Sequence, residues 1–218
     1  MCRACWADVH CFPPRAGSPD GDRAEARGRS RASPIPRALA VGPYEGRLRD
    51  IIHAFKYDGR RTLAPPLAAL MREAGGSVLD GADAVVPVPL HWWRRRQRGF
   101  NQAALLASGL GLPVCHALRR PRRTRAQAEL PAGERRVNVA GAFALAWPYR
   151  LHWLGRLTAC ELTARARTPA RLDALTVVLV DDVSTTGATL DACARVLVAA
   201  GVREVRALTV ARVAARSR

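Results

Sequence analysis

Residues 177–190 read VVLVDDVSTTGATL. An apolar, β-branched run, extending back to Leu175, predicts a buried strand. Two carboxylates, Asp181 and Asp182, follow at once, then a Thr/Gly turn, then a helix start. In parallel α/β sheets the carboxyl ends of the strands are where ligands bind. The backbone N–H groups of Thr185 to Thr189 and the positive end of the helix dipole together make an anion site. Gly187 allows close approach of the backbone, and the hydroxyls of Thr185, Thr186 and Thr189 add donors. Carboxylates beside such a turn would repel a phosphate, but they suit hydroxyl groups one sugar-length away. The unit therefore predicts a ribose 5-phosphate site, with phosphate in the turn and 2′- and 3′-hydroxyls on the acids. The plainer alternative is a capped helix after a strand, with Ser184 or Thr185 as N-cap and both Asp residues solvated. The full order of strand, paired acids and Thr-Thr-Gly-x-Thr favours ligand binding. It is not a P-loop, because no GxxxxGK[ST] is present.

Working outward, short strands and helices alternate. ALAV (38–41) predicts a strand, followed by a GPYEG turn. Leu48, Ile51, Ile52 and Phe55 recur at helical spacing, so RLRDIIHAFKY (47–57) predicts a helix stopping at Asp58-Gly59. A second helix is expected over 65–74, and Ala84–Val88 predicts a buried strand. HWWRRRQRGFNQ (91–102) is expected to be a basic loop, AALLASGL (103–110) a helix and Val114–Leu118 a strand. Residues 119–138 lack periodicity and predict a long mobile loop, and GAFAL (141–145) predicts a strand. Beyond the Thr/Gly turn, a helix over 189–200 ends at Gly201, and Val205–Val210 closes the chain as a strand. The pattern predicts an α/β fold: a mostly parallel twisted sheet flanked by helices. No internal repeat is visible.

Composition limits the rest. The chain has 218 residues and a formal net charge of +17; 49% of residues are hydrophobic and 6% aromatic. A core of aliphatic side chains and Ala is expected, and wholesale disorder is excluded. No apolar run reaches the ~18 residues that a membrane span needs. The start MCRACWADVHCFPPR has no continuous apolar stretch, which predicts no secretory signal and a cytoplasmic, reducing location. Lys56 is the only lysine among 35 basic residues. So strong a bias reflects coding composition and says little about nucleic acid, but a positive surface favours phosphate-rich partners. Residues 1–37, rich in Gly, Pro, Ser and Arg, predict a flexible basic tail, with one domain over 38–218.

At this point the chain resembles a known family. VVLVDDVSTTGATL resembles the phosphoribosyl pyrophosphate motif of type I phosphoribosyltransferases. VVPVPLHWWRRRQRGFNQA (85–103) is similar to the signature of the ComF branch, which is associated with competence and DNA uptake in bacteria. RRTRAQAELPAGERRVNVAGAF (122–143) is similar to that branch's flexible-loop segment, and YEGRLRDIIHAFKYDGRR (44–61) also matches. The resemblance implies a phosphoribosyltransferase-like core that binds phosphoribosyl pyrophosphate with Mg²⁺ held mainly through the substrate. A nucleophile would displace pyrophosphate from C1 of the ribose, and no protein nucleophile is required.

Carried over by residue, the resemblance implies Asp181 and Asp182 on the ribose hydroxyls. Thr185, Thr186, Gly187, Ala188 and Thr189 would hold the 5′-phosphate. Arg98 and Gly99 would approach the pyrophosphate, with Arg94, Arg95 and Arg96 adding charge unless they form a solvated basic loop. Asn101 and Gln102 are candidates for orienting that loop. Trp92 and Trp93 are expected to pack on the core rather than offer a stacking surface. Arg125, Gln127, Arg135 and Arg136 lie in an expected lid, with a plain surface loop as the alternative. Lys56 is expected to be a snorkelling surface residue rather than a phosphate contact, and His53 to be structural.

Two departures stand out. ComF-type proteins commonly begin with a four-cysteine zinc module, whereas this chain offers Cys2, Cys5, His10 and Cys11, so zinc is not expected. Cys115, Cys160 and Cys193 read as buried thiols. Residues 146–173 are longer and richer in Trp than expected and form a candidate insertion. Two functions follow from the sequence. One is a phosphoribosyltransferase-type enzyme or binder with an unidentified acceptor. The other is a non-catalytic partner of single-stranded DNA or of DNA-uptake proteins, using the Arg-rich tail and lid. A regulator that only senses nucleotide precursors is a third.

Overall fold

The computed structural model describes Trp6, Val9, Cys11, Phe12 and residues 33–121, 141–147, 149 and 172–213. The expected tail function, the lid residues Arg125, Gln127, Arg135 and Arg136, Cys160 and most of the 146–173 segment lie outside the described residues.

Four parallel strands form the central sheet in the order β1-β6-β5-β2. They are β1 (Arg37–Pro43), β2 (Ala84–Pro87), β5 (Thr176–Ser184) and β6 (Glu204–Arg212). A separate antiparallel pair joins β3 (Leu118–Arg119) to β4 (Ala144–Leu145). The helices are α1 (Gly46–Tyr57), α2 (Ala64–Ala74), α3 (Gly76–Leu79), α4 (Trp92–Arg98), α5 (Gln102–Ser108) and α6 (Ala188–Ala199).

Period-two alternation along β5 explains why both faces of the sheet are covered. Val177 and Leu179 pack into a core with Leu190, Cys193, Ala194 and Leu197 of α6. Val178 and Val180 enter a second core with Leu48, Ile51, Ile52 and Phe55 of α1, Leu67 and Met71 of α2, and Leu106 of α5. Burying an Ile or Phe side chain contributes ~1.5–3 kcal/mol, so this stripe fixes the rotation of α1 about its own axis. The helix stops where expected. The Asp58 N–H donates to the Ala54 carbonyl at 3.1 Å, and Gly59 takes a φ of +64°.

The structure differs from several sequence expectations; the strand expected over 141–145, for one, is confined to Ala144–Leu145. β5 does not end before the acids; it continues to Ser184, because β6 pairs alongside, Asp181 opposite Thr209 and Ser184 opposite Arg212. The basic stretch expected as a loop is the helix α4. Arg, Gln and Trp are tolerated in helices, the N–H of Trp93 donates to Nδ1 of His91 at 3.4 Å at the helix start, and Gly99 with φ +75° follows its end. Trp92 does not pack on the core but is 62% exposed. The strand expected over Val114–Leu118 reduces to one bridge, Val114 to Val85, before the chain turns to pair with β4.

Candidate functional site

The carboxyl ends of all four parallel strands border one cleft of about 920 Å³, within the range of about 300–1,000 Å³ usual for small-molecule sites. Tyr44 follows β1, Val88 to Leu90 follow β2, Asp181 and Asp182 lie among the last four residues of β5, and Val213 follows β6; all line it. The floor is tied together by the Val88 N–H donating to the Val180 carbonyl at 2.9 Å and that of Val213 donating to Ser184 at 2.9 Å.

The acids straddle the strand end. Asp182 shares the parity of Val178 and Val180, the face that α1 covers. Asp181 shares the parity of Val177 and Leu179, the α6 face. The cleft wraps the strand, so both carboxylates line it. The Asp182 N–H donates to the Asp181 carboxylate at 2.9 Å. Burial and the neighbouring Asp182 charge push the Asp181 carboxyl up to about 7, against the pull of that hydrogen bond and of Lys56 and Arg120. Cys193, beneath Asp181, is a buried thiol, as expected, and burial followed by the Asp181 charge raises its pKa far above the ordinary value.

Lys56 is not the surface residue expected. Its Nζ lies 2.9 Å from Asp182 Oδ1, with the two side chains only 14% and 11% exposed. Burial alone would lower the ammonium pKa; attraction to Asp182, and more weakly to Asp181 and Tyr44, more than offsets this and raises it. The one sequence signal for this position was that the chain's single lysine sits there. His53 is exposed on α1 and stacks against Tyr57 with centroids 4.6 Å apart.

The Thr/Gly turn leads directly into the 12-residue helix α6. Gly187 is the N-cap with φ +75°, a left-handed conformation that disfavours any side chain. The Thr186 hydroxyl accepts the Ala188 N–H at 3.4 Å, and Asp191 N–H donates to the Gly187 carbonyl at 2.9 Å. Ser33 donates to the Asp191 carboxylate at 2.6 Å, anchoring the first turn of α6 to the segment ahead of β1. Thr185 and Thr189 line the cleft; Thr186, Gly187 and Ala188 build the turn without lining it.

On the opposite wall Arg98 lines the cleft, its guanidinium 5.0 Å from the Tyr57 ring centre and 3.4 Å from the Tyr57 hydroxyl. Gly99 is outside the lining; its carbonyl accepts a hydrogen bond from Arg61 at 3.0 Å. Arg96 is exposed on α4. Asn101 sits at the N-cap of α5, but its amide donates instead to the Val88 carbonyl at 3.2 Å, which holds this wall to the end of β2. Asn101 Oδ1 and Gln102 Nε2 are buried without a hydrogen-bond partner among the described residues, and both side chains line the cleft. Such atoms favour a polar occupant, since an unmet buried donor or acceptor costs about 1–3 kcal/mol. Sequence reasoning also missed Tyr44 and Arg120, which reach the cleft from β1 and β3 through contacts remote in sequence.

Among the described residues no group of three His, Cys, Asp or Glu side chains is placed to cage a metal. Among the described residues, Asp181 and Asp182 on β5 and Asp58 just after α1 are the carboxylates that line the cleft and can lend an oxygen to a divalent ion. That donor set fits Mg²⁺ carried largely by substrate phosphates and water.

A model of the phosphoribosyl transferase domain matches residues 97–218, which takes in Arg98, both acids and the Thr/Gly turn. The chain is 32% identical over 191 residues to Competence protein F of Haemophilus influenzae, covering 81% of this chain and 72% of that protein. The chain belongs to the ComF family of phosphoribosyltransferase-fold proteins. The ComF assignment is supported by DNA utilization protein YhgH of Salmonella typhi, 30% identical over 228 residues, covering 94% of this chain and 87% of that one. YhgH of Escherichia coli is 31% identical over 209 residues, covering 88% and 80% respectively. Among solved structures, TT1426 from Thermus thermophilus aligns with a TM-score of 0.38 at 21% identity, over 71% of this chain and 85% of that chain.

Proposed function

We propose that the cleft binds phosphoribosyl pyrophosphate together with Mg²⁺, and that the protein transfers the phosphoribosyl group to an acceptor in the service of DNA uptake. One observation carries the reading. The paired carboxylates share a single cleft of about 920 Å³, at the carboxyl ends of the strands, with Thr185 and Thr189 from the two ends of the turn that starts α6. Asp181 and Asp182 accept hydrogen bonds from the ribose 2′- and 3′-hydroxyls. The N–H groups and hydroxyls of the turn take the 5′-phosphate, aided by the helix dipole. The diphosphate then points toward Arg98. The acceptor nucleophile forms a bond to C1 as the C1–O bond breaks and pyrophosphate departs with that electron pair. The bound ion would neutralise charge on the departing pyrophosphate. The protein's own part is to hold C1 in line between acceptor and leaving group and to keep water from competing. The link to DNA uptake comes from the names of the relatives, Competence protein F and DNA utilization protein YhgH.

The test is a calorimetric titration of phosphoribosyl pyrophosphate with Mg²⁺ into the wild type and the double variant Asp181→Asn/Asp182→Asn. The reading expects saturable binding that falls at least about tenfold in the variant, since hydrogen bonds to charged groups contribute about 1.5–3 kcal/mol. Equal affinity would overturn it. A screen for pyrophosphate release over candidate nucleophiles then separates turnover from binding alone. A second reading, binding of single-stranded DNA along α4, is favoured by the exposure of Trp92 on an Arg-bearing helix beside the cleft. It requires an affinity that drops steeply with salt and survives the double substitution.

A further inference from the structure

We infer that Lys56 is the built-in counter-cation of the acid pair, allowing the cleft to take a phosphorylated pentose without a divalent ion at the carboxylates. The inference rests on the reading of the cleft given above. Asp181 and Asp182 are adjacent, and a phosphate bound at the Thr185–Thr189 turn would place further negative charge in the same cleft. Arg120 attracts Asp181, but an Asp182 carboxylate without a cation of its own would oppose that ligand. Lys56 supplies one positive charge at 2.9 Å from Asp182, with both side chains largely withdrawn from water. There a charge pair is worth more than at a solvated surface, because screening is weak.

The placement is built into the fold. The buried stripe Leu48, Ile51, Ile52 and Phe55 holds α1 against the same sheet face to which Asp182 belongs. Lys56, next to Phe55, is delivered to the end of β5. The Tyr44 ring, centred 6.0 Å from the ammonium, borders it on the β1 side. The residue type also matters. All the other basic residues of the chain are arginines, yet a lysine stands here. An ammonium is a compact point charge with three donors, whereas a guanidinium is a wide planar fork. With one donor on Asp182, two N–H groups of the ammonium remain, and Lys56 itself lines the cleft. Those groups can donate to a ligand oxygen, so the residue orders the acids and also touches the sugar phosphate.

The experiment uses ribose 5-phosphate, which lacks the diphosphate that would bring its own Mg²⁺. Its affinity for the full-length wild type, Lys56→Met, Lys56→Gln and Lys56→Arg is measured by calorimetry, with chelator and then across a Mg²⁺ series. Near-ultraviolet circular dichroism and thermal unfolding check that each variant is folded. Wild-type affinity is expected to change little with Mg²⁺. The Met and Gln variants are expected to bind about 10- to 100-fold more weakly in chelator and to recover much of that loss as Mg²⁺ fills the vacated charge. The Arg variant, keeping the charge, should fall between them and the wild type. Unchanged affinity in the folded Met and Gln variants would overturn the inference, and so would a loss of equal size at every Mg²⁺ concentration. If the wild type binds neither ribose 5-phosphate nor phosphoribosyl pyrophosphate, the reading of the cleft fails and the inference fails with it.

Discussion

Replacing Asp181 by Asn is expected to raise the stability of the free protein while weakening its ligand binding. Asp181 titrates at about 7 in the fold against 3.8 for an unperturbed carboxyl. The folded chain therefore holds this proton more tightly than the unfolded chain, and stability falls as pH rises from about 4 to about 7. Above that window the cost of keeping this charge buried, and secondarily beside Asp182, is at most about 4 kcal/mol. The attraction of Lys56 and Arg120 is already included in the position of the titration. An asparagine keeps the oxygen that accepts the Asp182 N–H at 2.9 Å and removes the charge. The assay is thermal unfolding of wild type and Asp181→Asn at pH 5 and pH 8. For a chain of this size each kcal/mol moves Tm by about 2–4 °C, so the variant should gain several degrees at pH 8 and clearly less at pH 5. A variant destabilised by the same amount at both pH values would refute the account of a strained acid pair.

Three further outcomes follow from the same structure. Thr185→Ala and Thr189→Ala should each weaken binding of phosphate-bearing ligands several-fold, as expected for a lost hydrogen bond to an anion, with little change in Tm; loss of Tm without loss of affinity would place these hydroxyls in a purely structural role. Gly75→Ala should destabilise the fold by roughly 1–3 kcal/mol through overpacking, because a Cβ there would lie 2.5 Å from the Met71 carbonyl and 2.7 Å from Leu208; chemical denaturation would show the midpoint shift. Arg206→Met should cost about 3 kcal/mol or more, since this buried side chain donates to the Val78 and Asp80 carbonyls and pairs with Glu204; an unchanged denaturation midpoint would contradict this.

The central motif was legible because its signals are local. Apolar alternation, adjacent acids, a glycine at a helix start and a helical apolar stripe in α1 each depend on neighbours a few residues apart. The parallel sheet followed from strands alternating with helices. What escaped depended on contacts between distant segments. Lys56 looks like a solvated side chain on an amphipathic helix until β5 brings Asp182 to within 2.9 Å of it. The strand character of Asp181 to Ser184 comes from the neighbouring β6, which no local preference of Asp or Ser announces. The helix α4 hides in a run of arginines because so short an element has no room for a periodic apolar face. Trp92 suggests core packing by its apolar bulk, yet the seven-residue helix that carries it leaves it exposed. The sequence around Gln102 suggests only a residue that orients the loop; its donor without a partner among the described residues becomes visible once the wall of the cleft is assembled.

The most direct test is a crystal structure of the protein grown with phosphoribosyl pyrophosphate and Mg²⁺. The account predicts the 5′-phosphate on the amides between Thr185 and Thr189, the ribose hydroxyls within hydrogen-bonding distance of Asp181 and Asp182, and the diphosphate on the Arg98 side. A sugar bound elsewhere on the molecule, or bound in this cleft with both carboxylates turned away from it, would contradict the account.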